Sequence, residues 1–258
     1  IVLDLSNNYG GDVYLAHQIN NILFPDIQNF PADLKVNNIS IQFIEGFSMI
    51  NSLFNEKNAF LQHYKTYIST RTNTSFNSIE DFIGNNLYTR GGTQLKYTSK
   101  AFFNDTILYG GILEFPKPPK FPWTEKDIII LTNGLCFSSC ALITQRLAEN
   151  NVPTIVVGGF PNKRFSFASM SGGYKVTTDY FENYFSILKN LDSSLVSSLT
   201  LPETLTLSFT IAEVYSVNHP NEVMDFSFRP ADYQLYYDER SARDPSQLWM
   251  QAAKFIKG

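Results

Sequence analysis

The segment at residues 128–150 constrains the fold more than any other part of the chain. Its sequence is IIILTNGLCFSSCALITQRLAEN. An apolar, β-branched run is typical of a buried strand, and the Asn-Gly that follows it predicts a turn. The rest predicts a helix, because Cys140, Ile143 and Leu147 fall on one face. A strand that turns directly into a helix predicts an α/β domain.

Other segments repeat this order. Residues 1–5 predict a strand, residues 6–11 (SNNYGG) a Gly-rich turn, and the apolar residues from Val13 onward a helix. A third buried strand is predicted at residues 154–157. The chain closes with a helix at 245–255, whose proline stands in the permissive first turn. Weaker strands are expected near 175–178 and 204–210.

The middle of the chain is harder to interpret. We treat residues 1–258 as one core domain with a poorly assigned, partly helical insertion at residues 25–122. Within it, apolar spacing predicts a helix at about residues 48–68. Four prolines between residues 116 and 122 exclude regular helix and central strand there. Because the chain begins inside a strand and without Met, we expect a fragment that lacks its N-terminal part.

Composition excludes several classes of function. Charged residues make up 17% of the chain and the net charge is -4, so no basic surface for nucleic acid is expected. No apolar run is long enough to span a membrane. Two cysteines without a neighbouring histidine do not make a zinc site, and no metal or cofactor is expected. The sequons at Asn38, Asn73 and Asn104 slightly favour secretion. A homodimer is left open.

Two turns carry the candidate chemistry. Ser138 and Ser139 stand at the start of a helix, where free N–H groups and the helix dipole stabilise negative charge. Either serine suits a nucleophile, although helix capping is the plain alternative. Gly10 and Gly11 allow N–H groups to point into a cleft as oxyanion donors, if the two turns lie side by side. A phosphate site is the competing interpretation, but no complete phosphate-binding motif is present.

Three ordered segments resemble the C-terminal processing (tail-specific) serine protease superfamily. IVLDLSNNYGGDV resembles its DLR-x-N-x-GG motif, and residues 128–159 resemble its nucleophile strand, helix and VVG strand. Residues 219–237, HPNEVMDFSFRPADYQLYY, resemble its late segment. The Ser-Cys pair is closest to the branch of the chlamydial protease-like activity factor and its fungal-type relatives. This resemblance implies a ClpP/crotonase-like core of strand-strand-helix units.

The resemblance also implies roles for single residues. Ser139 falls on the nucleophile and Ser138 on its neighbour. Gly10, Gly11 and the backbone N–H of Cys140 fall on the oxyanion donors. Glu222 matches a late glutamate that helps to orient a water or the base, although it is also a plain surface acid. The implied reaction cleaves a polypeptide through an acyl-enzyme on Ser139.

No residue of this sequence matches the general base of the family. Lys163 lies near the family's lysine, but it stands beside Arg164 in a polar loop, whereas a basic lysine must be desolvated. None of His17, His63 and His219 occupies the place of the histidine used by the chlamydial branch. We therefore expect the base to lie in the missing upstream segment.

Two alternative functions remain open, and the bonding state of the two cysteines is also undecided by the sequence. A non-catalytic member of the same fold would bind an apolar ligand or a peptide, and an acyl-CoA enzyme of the crotonase type would use only the Gly turns; the intact serine argues against both. Cys136 and Cys140 can form a disulfide that stiffens the nucleophile turn if their Cα atoms lie within about 7 Å. Two buried thiols are the alternative.

Overall fold

The computed structural model describes residues 1–54, 64–103, 121–168, 175–191, 193 and 207–256. The chain forms two compact units. The first comprises Ile1–Phe30, Lys117–Gly172 and Tyr215–Gly258, and the second comprises Pro31–Pro116 and Gly173–Val214. The region that sequence left unassigned thus lies mostly in the second unit, which also takes a later part of the chain.

The described residues contain the following regular elements. The strands are β1 (Val2–Asp4), β2 (Ala32–Val36), β3 (Tyr67–Ser69), β4 (Asn86–Arg90), β5 (Thr93–Tyr97), β6 (Ala101–Phe103), β7 (Ile129–Thr132), β8 (Thr154–Val157), β9 (Lys175–Thr177), β10 (Ser208–Thr210), β11 (Ala212–Val214) and β12 (Tyr233–Leu235). The α-helices are α1 (Val13–Leu23), α2 (Asn38–Phe54), α3 (Ile79–Ile83), α4 (Ser139–Glu149), α5 (Thr178–Leu191) and α6 (Ser246–Ala253).

The first unit is built on a parallel sheet of order β1-β7-β8-β12. Every residue of β7 and β8 is buried, because helices cover both faces of the sheet; such strands are continuous apolar runs. The sequence predicted these two strands and the helix between them. The mixed α/β class is confirmed.

Alternate residues of β7 pack into two separate hydrophobic cores. Ile130, with the neighbouring Ile128, packs with Ala16 of α1 and Ile143 and Leu147 of α4. Ile129 and Leu131 point to the other face and pack with Leu248 and Ala252 of α6. This follows from the two-residue period of a strand. The sheet is therefore held rigidly from both sides, and the turns after its strands have a fixed base.

The second unit is dominated by antiparallel pairing. Its larger sheet has the order β3-β6-β2-β5-β4, with β11 also on β2, and β9 pairs with β10. The helix predicted at about residues 48–68 is described only in part: α2 covers Asn38–Phe54, residues 55–63 lie outside the described residues, and β3 covers Tyr67–Ser69. Short strands with half-buried faces leave only weak periodicity in the sequence. Among the described residues, no helix is long and apolar enough to cross a membrane.

Candidate active site

The Gly-rich turn and the serine turn lie at the same edge of the parallel sheet. β1 pairs with β7 in parallel, with Val2 opposite Ile129 and Asp4 opposite Leu131. The pairing continues one residue further, where Leu5 N donates to Leu131 O at 2.8 Å. Because the strands run in the same direction, their carboxyl ends meet, and the turns that follow them are neighbours.

Direct hydrogen bonds link the two turns. The side chain of Asn133 accepts from Asn7 N at 3.1 Å and donates to Asn7 Oδ1 at 2.9 Å. Phe137 N donates to Asn8 O at 3.1 Å. The oxyanion hypothesis required the turns to be side by side, and these bonds hold them there.

Gly10 makes the closest approach between the turns. Its φ is +91°, and a Cβ added there would lie 2.6 Å from Phe137 O and 2.7 Å from Ser138 Cβ. Both the positive φ and the close approach exclude any residue with a side chain. The same added Cβ would lie 3.1 Å from Ser139 N, so the Gly10 backbone lies directly against the start of α4.

Ser138 has a strained backbone at the N-cap of α4. Its φ is 52° and its ψ is −125°, a region that non-glycine residues rarely enter and that is found at functional sites. The residue is half-buried, and its side chain makes no capping hydrogen bond to the helix. The capping explanation therefore does not account for this serine. A sharp strand-to-helix turn with a strained serine is also the geometry of a nucleophile elbow.

Ser139 is placed differently. It is the first residue of α4 and only 5% exposed. Ser138, which is half-buried, is therefore more exposed than Ser139. The resemblance assigned the nucleophile to Ser139 by its distance from β8.

The backbone N–H groups available to an oxyanion differ from those expected from the sequence. Two of the expected oxyanion donors are engaged, because Gly10 N donates to Asn8 Oδ1 at 2.9 Å and Cys140 N donates to Phe137 O at 3.0 Å. Within the described part of the chain, neither Gly11 N nor Ser139 N has a hydrogen-bond acceptor. Gly11 therefore remains a candidate donor, joined by Ser139 N, which follows Ser138 directly.

Cys136 and Cys140 form a disulfide that brackets both serines. Their Cα atoms are 5.3 Å apart, within the range that a bridge requires, because the turn before α4 folds back on itself. Both cysteines are fully buried and pack against Phe167 and Ala168. The disulfide hypothesis is confirmed, and the alternative of two free thiols is wrong.

Glu222 lies at the opposite end of α4 from the serines. Ser227 Oγ donates to its Oε1 at 2.5 Å. Arg229 contacts its carboxylate at 3.4 Å and that of Glu149 at 2.9 Å. Glu149 is the last residue of α4, about 15 Å along the helix from its first residue. The structure does not bring Glu222 to the serine turn.

The hydrogen bond from Ser227 and the positive charge of Arg229 hold the pKa of Glu222 below its ordinary value. Its carboxylate is therefore fully ionised near neutral pH. In this cluster Glu222 pairs with Arg229 and accepts from Ser227.

None of the candidate bases is brought to Ser138 by a described contact. Lys163 is exposed, with Nζ 5.8 Å from the centre of the Phe160 ring. His17 is buried in α1, and His219 lines the cavity around Glu149 and Glu222. His63 lies outside the described residues.

The comparisons with known proteins support the resemblance to the tail-specific serine proteases found in the sequence. The peptidase S41 family protein ustP of Aspergillus flavus is 24% identical over 304 residues. The match covers the whole chain and 61% of ustP. No protein-family model matches the chain.

Two solved structures of mature CPAF were matched, and the first of them has a similar fold. The structure of mature CPAF complexed with lactacystin has a TM-score of 0.50 and 12% identity, and the match covers 99% of this chain and 43% of that one. A crystal structure of mature CPAF has a TM-score of 0.48 and 14% identity, over 98% of this chain and 42% of that one. This chain therefore spans less than half of the CPAF chains.

Proposed function

We propose that this protein is a serine peptidase in which Ser138, rather than Ser139, attacks the carbonyl of a polypeptide. The observation that carries the proposal is the strained backbone of Ser138 at the start of α4, combined with a side chain that does not cap the helix. Strain of this kind costs of order 1–3 kcal/mol and persists where function requires it. The S41 relative supports the class of reaction.

The oxyanion of the tetrahedral intermediate is stabilised by the N–H groups of Gly11 and Ser139. These two groups come from the two turns that the Asn7–Asn133 bonds hold together. The positive end of the α4 dipole adds to the same field. Preorganised donors of this kind typically contribute about 2.7–4 kcal/mol each to the transition state.

Ser138 then forms an acyl-enzyme by expelling the amine of the cleaved bond, and water hydrolyses the ester to release the acid. A base must accept the proton of Ser138 Oγ and deliver it to the leaving amine. We propose that a part of the protein outside these 258 residues supplies this base, since no described contact brings Lys163, His17 or His219 to Ser138.

The test is labelling of the full natural protein with a serine-reactive fluorophosphonate. We expect the wild type to label, Ser138→Ala to lose labelling and Ser139→Ala to keep it. Ser139→Ala is the matched control because it retains the backbone N–H and the fold.

Loss of labelling in Ser139→Ala but not in Ser138→Ala would return the nucleophile to Ser139. A folded wild type that does not label would overturn the peptidase proposal.

A further inference from the structure

Large apolar side chains are exposed along one edge of the parallel sheet. All four strands run in the same direction, and each is followed at its carboxyl end by at least one such residue. They are between 38% and 75% exposed, and we call them the apolar strip: Tyr9 after β1, Leu135 after β7, Phe160 after β8, and Tyr236 and Tyr237 after β12. The strand order β1-β7-β8-β12 places these side chains one after another along the edge, and exposed apolar patches mark interaction sites.

One end of the apolar strip is joined to the nucleophile turn. The Tyr9 ring stacks on the Phe137 ring with centroids 5.7 Å apart and an interplanar angle of 6°. Tyr9 precedes Gly10, and Phe137 precedes Ser138. The stacked pair therefore stands beside both the nucleophile and the oxyanion donors.

The rest of the apolar strip is fixed by contacts between neighbouring turns. The Phe165 ring fills the space against both Gly134 and Gly159, where an added Cβ would meet it at 2.8 Å and 3.0 Å. Gln234 Nε2 donates to Gly158 O at 2.7 Å and ties β12 to the turn after β8. The order of side chains along the edge follows from the order of the strands.

The size of the apolar strip suits an extended peptide. Four strands at about 4.8 Å spacing span about 14 Å. An extended chain covers about 3.3–3.6 Å per residue, so about four residues cross this distance.

We propose that the apolar strip is the substrate-binding surface and selects polypeptide segments with aromatic or large aliphatic side chains next to the cleaved bond. This inference rests on the proposed function and adds the substrate class. We infer that a peptide occupies the apolar strip because one end of the strip adjoins the serine turn. A peptide whose carbonyl reaches Ser138 lies across Tyr9 and Phe137. Stacking on aromatic rings stabilises such side chains beyond simple burial of area.

The test measures binding without cleavage, in the Ser138→Ala form of the full natural protein. Two fluorescent peptides of equal length and charge are compared by anisotropy, one with alternating Phe and Ala and one with each Phe replaced by Ser. We expect the Phe peptide to bind at least tenfold more tightly. Phe160→Ser and Tyr236→Ser should each weaken the Phe peptide about fivefold and leave the Ser peptide unchanged.

Phe228→Ser is the matched control. Phe228 is also exposed, but it lines the cavity around Glu149, Thr154 and Asp232 at the amino ends of β8 and β12. It should not change binding of either peptide.

Equal affinity for both peptides, or an equal effect of Phe228→Ser, would overturn the proposal. So would a lower melting temperature in Phe160→Ser with unchanged peptide binding, which would show that another part of the protein covers the apolar strip. Fluorophosphonate labelling of the wild type tests the serine peptidase proposal separately. Failure of the peptide-binding proposal therefore does not imply failure of the peptidase proposal.

Discussion

Gly10 and Ser138 are in contact between the Gly-rich turn and the serine turn, and a Cβ on Gly10 would lie 2.7 Å from Ser138 Cβ. Gly10→Ala must therefore displace the serine turn. A misplacement of about 1 Å costs about 100-fold in rate, and we expect fluorophosphonate labelling to slow by about that factor.

Gly11→Ala is the matched comparison, since a Cβ on Gly11 meets nothing within 4 Å and the N–H is retained. It should label within about threefold of the wild type. Equal losses of labelling rate in Gly10→Ala and Gly11→Ala would show that the contact between Gly10 and Ser138 is not the cause.

The Cys136–Cys140 disulfide should stabilise the fold and the serine turn together. A cross-link over so short a loop contributes about 2 kcal/mol by the chain-entropy argument. We expect Cys136→Ala with Cys140→Ala to lower the free energy of unfolding in urea by that amount and to slow labelling of Ser138. Alanine is chosen because both sites are fully buried. Two alkylatable thiols in the native, non-reduced protein would contradict the bridge.

Glu222→Gln should leave labelling of Ser138 within about twofold of the wild type, because Glu222 lies at the far end of α4 in an ion cluster with Arg229. The measurement is the labelling rate at pH 7. The substitution keeps the size of the side chain, and circular dichroism checks the fold. A loss of more than tenfold would restore the active-site role that the sequence motif suggested.

Ser227→Ala should change the acid stability of the protein. The Ser227 hydroxyl and the charge of Arg229 lower the pKa of Glu222 from its ordinary value of 4.5. A lowered pKa stabilises the folded state above pH 4.5, and this contribution is lost as the pH falls through the lower, folded-state value. We expect the wild type to exceed Ser227→Ala in melting temperature most at pH 6, and the difference to shrink toward pH 3.

The control for this pH effect is Ser227→Ala in a Glu222→Gln background. There the difference should not depend on pH, because the amide of the glutamine does not titrate. A wild-type difference that stays constant between pH 6 and pH 3 would rule out Glu222 as its source.

Local pattern determined the central part of this fold. The apolar runs of β7 and β8 and the helical spacing of α4 are visible in the sequence because both faces of those strands are buried. The spacing of Cys136 and Cys140 allowed a disulfide. The paired Gly residues identified the turn that approaches the two serines.

Only the tertiary structure showed that the two serines differ in backbone and burial and that Glu222 lies away from them. Gly10 lies against the start of α4, where Ser138 has a positive φ, and a local sequence pattern does not report that contact. The sheet of the second unit likewise depends on distant pairing, such as Ala32 with Val214. The energy of such contacts comes from residues far apart in the chain, so no short window of sequence reports them.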